Sequence, residues 1–515
     1  MTQQSQPACP QDTSDTASVS QDVGTEEVDL LVVGGGKAGK SLAMARAKAG
    51  DAVVMVERDK IGGTCVNVAC IPTKTLISSA RILRDVQGAP AHGVVLTGGP
   101  GLPDAESSAE VSAASGGDDA DGADEAAATC LAQARVDLAA LRARKEAVVG
   151  GMVAAHETMF PASGMDFCLG TARFVAERTV DISLAEGGTR RVRGRTVLLN
   201  TGTTPSVPDI AGLGDVPYWT SEDLLTLPEL PEHLVVLGGG VIGMEMASLM
   251  GMLGVPVTVV HAGEHVLDRE DADVAAEVTA GLEALGVTVL TGSRAARVSP
   301  SPQGVVVTTE DGREVSGSHL LVALGRTPVT QGLGLEAAGV EVDQRGFVVV
   351  DDHLRTSAEG VYAAGDVAGT PQFTHASWND FRVLRDLLSG KEASTAGRLI
   401  PWAVFTTPEL GHVGMGEEEA RAAGHTVRVA KTPTAAVPRA KTLGRTEGFY
   451  KVVVDADTDL ILGAAVIGAE ASEVVTSVQM AMLGGLTWQQ LRDAVITHPT
   501  MSEGLNIVLD AMPQP

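Results

Sequence analysis

"VDLLVVGGGKAGKSLAMARAKAG", residues 28–50, is the stretch on which the fold turns. The mostly apolar residues 28–33 read as a buried strand. A glycine-rich turn and a run of helix formers follow. Gly34, Gly36 and Gly39 keep the G-x-G-x-x-G spacing. Glycines there let the backbone turn sharply and approach a pyrophosphate at the N-terminus of the following helix. A second strand, "AVVMVER", carries Glu57, 21 residues after Gly36, where an acid can bind a ribose hydroxyl. "GKAGKS" at 36–41 imitates the end of a phosphate-binding P-loop, but Lys37 and Ala38 interrupt it, and Glu57 fits a dinucleotide better.

The pattern returns at 234–254. "LVVL" leads into "GGGVIGMEMASLMGMLG", with Gly238, Gly240 and Gly243 at the same spacing. The strand after it, "VPVTVV", ends at residue 260 and is followed by His261, Ala262 and Gly263. An acid there would favour NAD and an arginine NADP. Neither is present, so this turn predicts weak discrimination between NADH and NADPH, with His261 as the candidate contact. Two such units in one chain suggest two dinucleotides, a flavin held permanently and a nicotinamide that comes and goes.

Between the units lies "GGTCVNVACIPTK", residues 62–74, with Cys65 and Cys70. "CIPTKTLISSARIL" has helical periodicity, which places the cysteines at a helix start, where free N–H groups favour a thiolate. Zinc needs about four ligands, and no second pair or His-Cys cluster accompanies these two. A structural staple is the other alternative. Beside a flavin, a redox-active pair is the favoured reading.

These segments are similar to those of the pyridine nucleotide–disulfide oxidoreductases, the family of dihydrolipoamide dehydrogenase, glutathione reductase and mercuric reductase. The resemblance runs through residues 28–505 and rests on "VVGGGKAGKSLA", "GGTCVNVACIPTK", "NTGTTPSVP", "GGGVIGMEMA", "GRTP", "VYAAGDVAG" and "HPTMSE". It implies an α/β chain with two Rossmann-like domains, for FAD and NAD(P)H, and a C-terminal α+β dimerisation domain. The expected division is a disordered tail at 1–26, an FAD domain at 27–200 and 326–397, an NAD(P) domain at 201–325 and a dimerisation domain at 398–515. The resemblance makes Cys65 the interchange thiol and Cys70 the thiol against the flavin. Lys74 would lie near flavin N5, paired with Glu245. Gly63, Thr64, Thr201, Gly202, Gly325 and Asp366 would line the cofactor sites. Ala69 departs from the commoner glycine, and its methyl is tolerated if its φ is negative.

Residues 400–515 read as strands, an Asp-rich turn and an apolar helix over 473–485. Within them, "HPTMSEG" holds His498 and Glu503. The resemblance makes His498 an acid–base for thiols, oriented by Glu503 and facing the cysteine pair of the other subunit, so homodimerisation becomes a functional requirement. The chain ends "NIVLDAMPQP", without the cysteine pair that mercuric reductases carry there. "PQFTHASWNDFRVLRDLL" and "TAAVPRAKTLGRTEGF" resemble the branch of reactive-chlorine and metal-stress flavoproteins. By residue type alone "TAAVPRAK" is an exposed loop bent at Pro438. The expected substrates are a small disulfide or dithiol, with metal-ion (mercuric or copper) or quinone reduction as the alternative.

The totals fit this reading. The 515 residues carry 38 Lys+Arg against 65 Asp+Glu, a formal charge of -27, which opposes binding to nucleic-acid phosphates. Five cysteines do not make a disulfide scaffold. No secretory signal or membrane span is visible, because the apolar stretch 231–260 is broken by glycines and Glu245, and the expected location is cytoplasmic. Residues 98–129 hold eight acids and no Lys or Arg and read as an acidic low-complexity insertion before a second helix at roughly 128–155. Cys9, Cys130 and Cys168 read as ordinary thiols.

Overall fold

The computed structural model describes residues 24–94 and 134–513. The acidic insertion, Cys9 and Cys130 lie outside the described residues.

The first sheet is built on strand β1 (Thr25–Val33) and strand β2 (Val53–Glu57). Its parallel core runs, side by side, Asp166–Ala176, β2, β1, Thr189–Leu199 and Val361–Ala363. Strand Thr179–Leu184 is antiparallel to both of its neighbours in sequence. Val53–Val56 and Leu30–Val33 are buried, as central parallel strands covered on both faces must be. That is why "VDLLVV" is nearly continuous in apolar residues rather than alternating. β1 begins two residues inside the stretch assigned to the tail: Thr25 and Glu26 already pair with Arg191 and Val192.

Helix α1 (Lys37–Lys48) follows the first turn. Two further helices, α2 (Gly63–Asn67) and α3 (Cys70–Gly88), carry the cysteines. Helix Leu138–Ser163 packs along α3, with Arg144 donating to the Thr75 carbonyl at 2.9 Å. It starts at Asp137, whose carboxylate accepts from the N–H groups of Ala139 and Ala140, and it ends at Gly164 in the left-handed conformation. It therefore runs on well past the expected residue 155.

The second unit repeats the plan with four parallel strands in the order His319–Val322, Leu234–Leu237, Val257–Val260 and Val287–Leu290. Helix Val241–Met252 stands on its glycine turn. The C-terminal unit is a five-stranded antiparallel sheet, ordered Trp402–Val404, Glu409–Gly414, Ile461–Gly468, Phe449–Asp455 and Val427–Pro433. Helices Ala471–Leu483 and Gly504–Asp510 bury their apolar sides in its core. Pro438 opens a short helix, Pro438–Leu443, instead of bending a loop. Proline suits the first helical position, where its missing N–H has no partner to lose, and Ala440 on that helix is fully buried.

Candidate active site

The two glycine turns are near copies. Gly34 and Gly238 have φ of 100° and 112°, open only to glycine without strain. A Cβ on Gly39 would stand 2.4 Å from the Gly34 carbonyl oxygen, and one on Gly243 2.0 Å from that of Gly238. Each third glycine thus lets its helix close onto the strand. Helix α1 and helix Val241–Met252 begin at Gly36 and Gly240, neither of which supplies a side-chain cap. On α1 the Ala38 and Gly39 N–H groups donate to Ser377 Oγ and Asn200 Oδ1, at 3.2 and 2.8 Å, so that helix offers an anion chiefly the positive end of its dipole. At the first turn Glu57 Oε2 accepts from the Gly35 N–H at 2.7 Å. At the second, His261 Nδ1 accepts from the Gly239 N–H at 3.1 Å.

In front of the first turn opens a cavity of about 920 Å³. Among the expected residues, Gly36, Glu57, Gly63, Thr64, Cys65, Cys70, Lys74, Thr201, Gly202, Glu245 and Asp366 line it. Asp366 Oδ2 accepts from the Thr203 hydroxyl at 2.9 Å, and Arg326 Nε donates to that same hydroxyl at 2.7 Å. Burial pushes the Asp366 carboxyl above the usual carboxylate range, against the opposing pull of Thr203 and Arg326. The residues fit FAD: the positive end of a helix beside a glycine turn for a pyrophosphate, an acid at the strand's end for a ribose, and a second recessed carboxylate for a polyol chain. The second turn offers a helix N-terminus, uncapped by any side chain of Gly240, to a nicotinamide dinucleotide.

Cys70 is the first residue of α3, whose N-cap, Ala69, has φ of −142°, so the departure from glycine is accommodated. Its thiol is drawn down to about 6, first by the hydrogen bond from Cys65, then by Thr374 and the charge of Lys74, and burial opposes the shift. Cys65, in α2, is pushed up, chiefly by its hydrogen bond to Cys70 and then by burial. Both stand as free thiols. The Lys74 ammonium donates to both oxygens of Glu245, at 2.8 and 2.7 Å, and lies 4.8 Å from the Phe405 ring centroid. Glu245, nearly buried, also accepts from the Phe405 N–H at 3.1 Å. One carboxylate thereby joins all three units at the cavity.

His498 and Glu503 do not line this cavity. They sit together on the C-terminal unit, with His498 Nδ1 2.7 Å from Glu503 Oε2 and the imidazole 69 % exposed. Gly34, Gly39 and Gly325 also lie outside the lining, as do Gly238, Gly240, Gly243 and His261 around the second turn.

Several functional neighbours were not visible in the sequence. Asn200 accepts from the Gly39 N–H at 2.8 Å and donates to the Ala364 carbonyl at 2.6 Å, tying the glycine turn to the Asp366 segment. Thr374 lies 3.5 Å from Cys70 Sγ. Lys40 is buried and donates to the Gly62 carbonyl at 2.7 Å, and burial lowers its ammonium to about 8. Asn200 stood in the quoted "NTGTTP" segment. Thr374 and Lys40 carried no local signal, because their meaning depends on contacts made by folding.

Residues 28–380 match the pyridine nucleotide-disulphide oxidoreductase family, and residues 400–508 match its dimerisation domain. The chain belongs to this family. A Cu(II) complex of the HOCl-induced flavoprotein disulfide reductase RclA from Escherichia coli superposes with a TM-score of 0.81 at 34% identity, covering 94% of this chain and 99% of that one. A dihydrolipoyl dehydrogenase of Haloferax volcanii is 35% identical over 486 residues, 93% of this chain and 94% of its own. A mercuric reductase of Streptomyces lividans is 34% identical over 484 residues, 93% and 95% of the two chains. The family's architecture of two Rossmann-like domains and a dimerisation domain is present, and with it the family's enzyme class, a pyridine nucleotide-disulphide oxidoreductase; this architecture implies FAD and NAD(P)H. No helix among the described residues is long and apolar enough to cross a membrane.

Proposed function

We propose that this chain is an FAD-dependent NAD(P)H:disulfide oxidoreductase, working as a homodimer and passing electrons through Cys65 and Cys70 to a small disulfide. The observation that carries this reading is Cys70: a thiol drawn down to about 6 at the start of α3, in one cavity with Cys65 and the Lys74–Glu245 pair. FAD would be held by the first glycine turn, Glu57, Gly63, Thr64, Thr201, Gly202 and Asp366. NAD(P)H would be held by the second turn and His261, with Gly325 nearby. Bound there, FAD supplies the two-electron relay between the nicotinamide and the cysteines.

The chain's own groups do the rest. Lys74, clamped by both oxygens of Glu245, keeps a cation in the wall beside Cys70. Nε2 of His498 of the partner subunit takes the proton of the reduced Cys65 thiol, whose ionisation the hydrogen bond to Cys70 and burial oppose, and the thiolate attacks one sulfur of the substrate disulfide; that S–S bond breaks and a mixed disulfide forms. The departing thiolate takes that same proton back from Nε2, with Glu503 accepting from Nδ1–H throughout. Cys70 then attacks the Cys65 sulfur, expels the second substrate thiol and closes the Cys65–Cys70 disulfide. Two thiols leave for each disulfide reduced, which accounts for the two electrons. The domain bounds read from the sequence, with the tail ending before Thr25, and the cytoplasmic location belong to the same proposal.

The test is anaerobic titration of the purified protein with NAD(P)H, read by flavin absorbance. A long-wavelength band at two-electron reduction is expected. Its absence, with flavin bound and reduced, would falsify the assignment of Cys70. The Cu(II) complex of RclA and the likeness to mercuric reductase support a second reading, direct reduction of a metal ion at the thiolate-bearing cavity. Turnover with lipoamide or glutathione disulfide against Cu(II), Hg(II) and a quinone separates the two.

A further inference from the structure

The strand Val257–Val260 lacks an acid at its end, yet the fold brings one there. His261 occupies the place that Glu57 holds at the first turn, and each accepts from the N–H of the glycine turn's second residue. Because Nδ1 accepts, Nε2 carries the hydrogen. It donates to Asp268 Oδ1 at 2.9 Å and lies 3.1 Å from the His265 carbonyl oxygen. The imidazole is nearly buried, whereas the Asp268 side chain is 62 % exposed. Two other features hold Asp268 in place. The Leu267 N–H donates to the Gly239 carbonyl at 2.9 Å, so the chain just before Asp268 is bonded to the glycine turn itself. A Cβ on Gly263 would meet Asp268 Oδ1 at 2.2 Å, so the bare glycine leaves room for the carboxylate. The imidazole thus acts as a spacer, carrying the acid's position outward by the width of one ring.

We propose that Asp268, positioned through His261, reads the adenosine ribose of the nicotinamide nucleotide and makes this chain prefer NADH to NADPH. The inference rests on the function proposed above. An exposed carboxylate accepts from the ribose hydroxyls and repels a 2′-phosphate. The expectation of weak discrimination looked only at the residues directly after the strand, and it gives way here. Exposed Glu264 on the same loop adds to the repulsion; exposed Arg269 is the one neighbouring cation of that loop that could reverse it.

The test uses non-redox fragments, so that it does not depend on turnover. Calorimetric binding of ADP-ribose and of 2′-phospho-ADP-ribose to the purified protein should show the unphosphorylated fragment binding about tenfold tighter or more, the scale of one charge-assisted hydrogen bond. Asp268→Asn should narrow that ratio several-fold, and Asp268→Glu should largely keep it. Asp268 is exposed, so unchanged melting temperatures should confirm that both variants fold. The ratio of kcat/KM for NADH and NADPH should move in parallel. A wild-type ratio near one, a preference for the phosphorylated fragment, or a ratio unmoved in Asp268→Asn would overturn the proposal. Failure of both fragments to bind would overturn the nicotinamide-dependent function itself, and this inference with it.

Discussion

Cys70 sits among influences of opposite sign: Cys65, Thr374 and Lys74 favour its thiolate, while burial and the Glu245 carboxylate oppose it. A lowered thiol ionises early, so the thiolate is present above about pH 6 and is lost as pH falls through that value. Its absorbance against the flavin should follow the same curve, as one macroscopic titration of the cysteine pair. Cys70→Ser should abolish the band at every pH. Thr374→Val removes one hydrogen bond to the thiolate, so the midpoint should move upward. A midpoint that stays in place or falls would mean that Thr374 does not donate to the sulfur. Lys40 belongs to the same residue scale. It is a buried ammonium tied to the carbonyl of Gly62, the residue that caps α2.

At the scale of elements, α3 is the member through which the three units meet. Its first turn carries Cys70, and its second turn reaches the nicotinamide unit through Lys74 and Glu245. Further along, Arg81 donates to Glu409 Oε2 at 3.2 Å and to the Thr406 carbonyl at 3.0 Å on the C-terminal unit. Lys74→Met would leave the nearly buried Glu245 without its cation. Because the Lys74 side chain is 32% exposed, the loss falls below that of a wholly buried pair, on the order of 2 kcal/mol by denaturant unfolding. The double variant Lys74→Met/Glu245→Gln should recover much of it, and a cycle without coupling would show the pair to be energetically idle. This helix also marks how far the sequence was legible. The glycine turns, the strands and the cysteine helix could be read because their signals are local: spacing, apolar runs and a proline near a helix start. Asp268 could not be read, since it acts from eight residues past the strand through a ring nitrogen. Helix Leu138–Ser163 was misplaced because its start depends on one capping carboxylate. The apolar-alanine texture before Asp137 looked equally helical. Pro438 was read by residue type, and its helix appears only once Ala440 finds a core to enter.

On the scale of the whole molecule, the nicotinamide unit is pinned to the C-terminal unit by buried polar groups. Glu270 accepts from Trp402 Nε1 at 2.8 Å and pairs with His412 at 2.7 Å, and the Trp402 and His412 rings stack at 4.0 Å. Lys451 reaches Asp271 and Asp273, both at 2.9 Å. These contacts hold the second glycine turn in a fixed relation to the cysteine cavity within one chain. The proposed acid–base is the exception, being exposed on the C-terminal unit and absent from that cavity. His498→Ala should therefore leave stopped-flow flavin reduction by NAD(P)H nearly intact while lowering disulfide turnover by roughly 10²–10⁴-fold. Equal loss of both, with a monomer on a sizing column, would make His498 a dimer contact instead. The separation of His498 from Cys65 has a genetic consequence. A Cys65→Ser subunit and a His498→Ala subunit are each inactive on disulfides alone. In a mixed dimer, however, the intact cysteine of one meets the intact histidine of the other, and one of the two sites works. Co-expressing two dead alleles should restore roughly a quarter of wild-type activity, since random pairing makes half the dimers mixed and half the sites in those competent. Strains carrying both defects on one allele should show no such complementation.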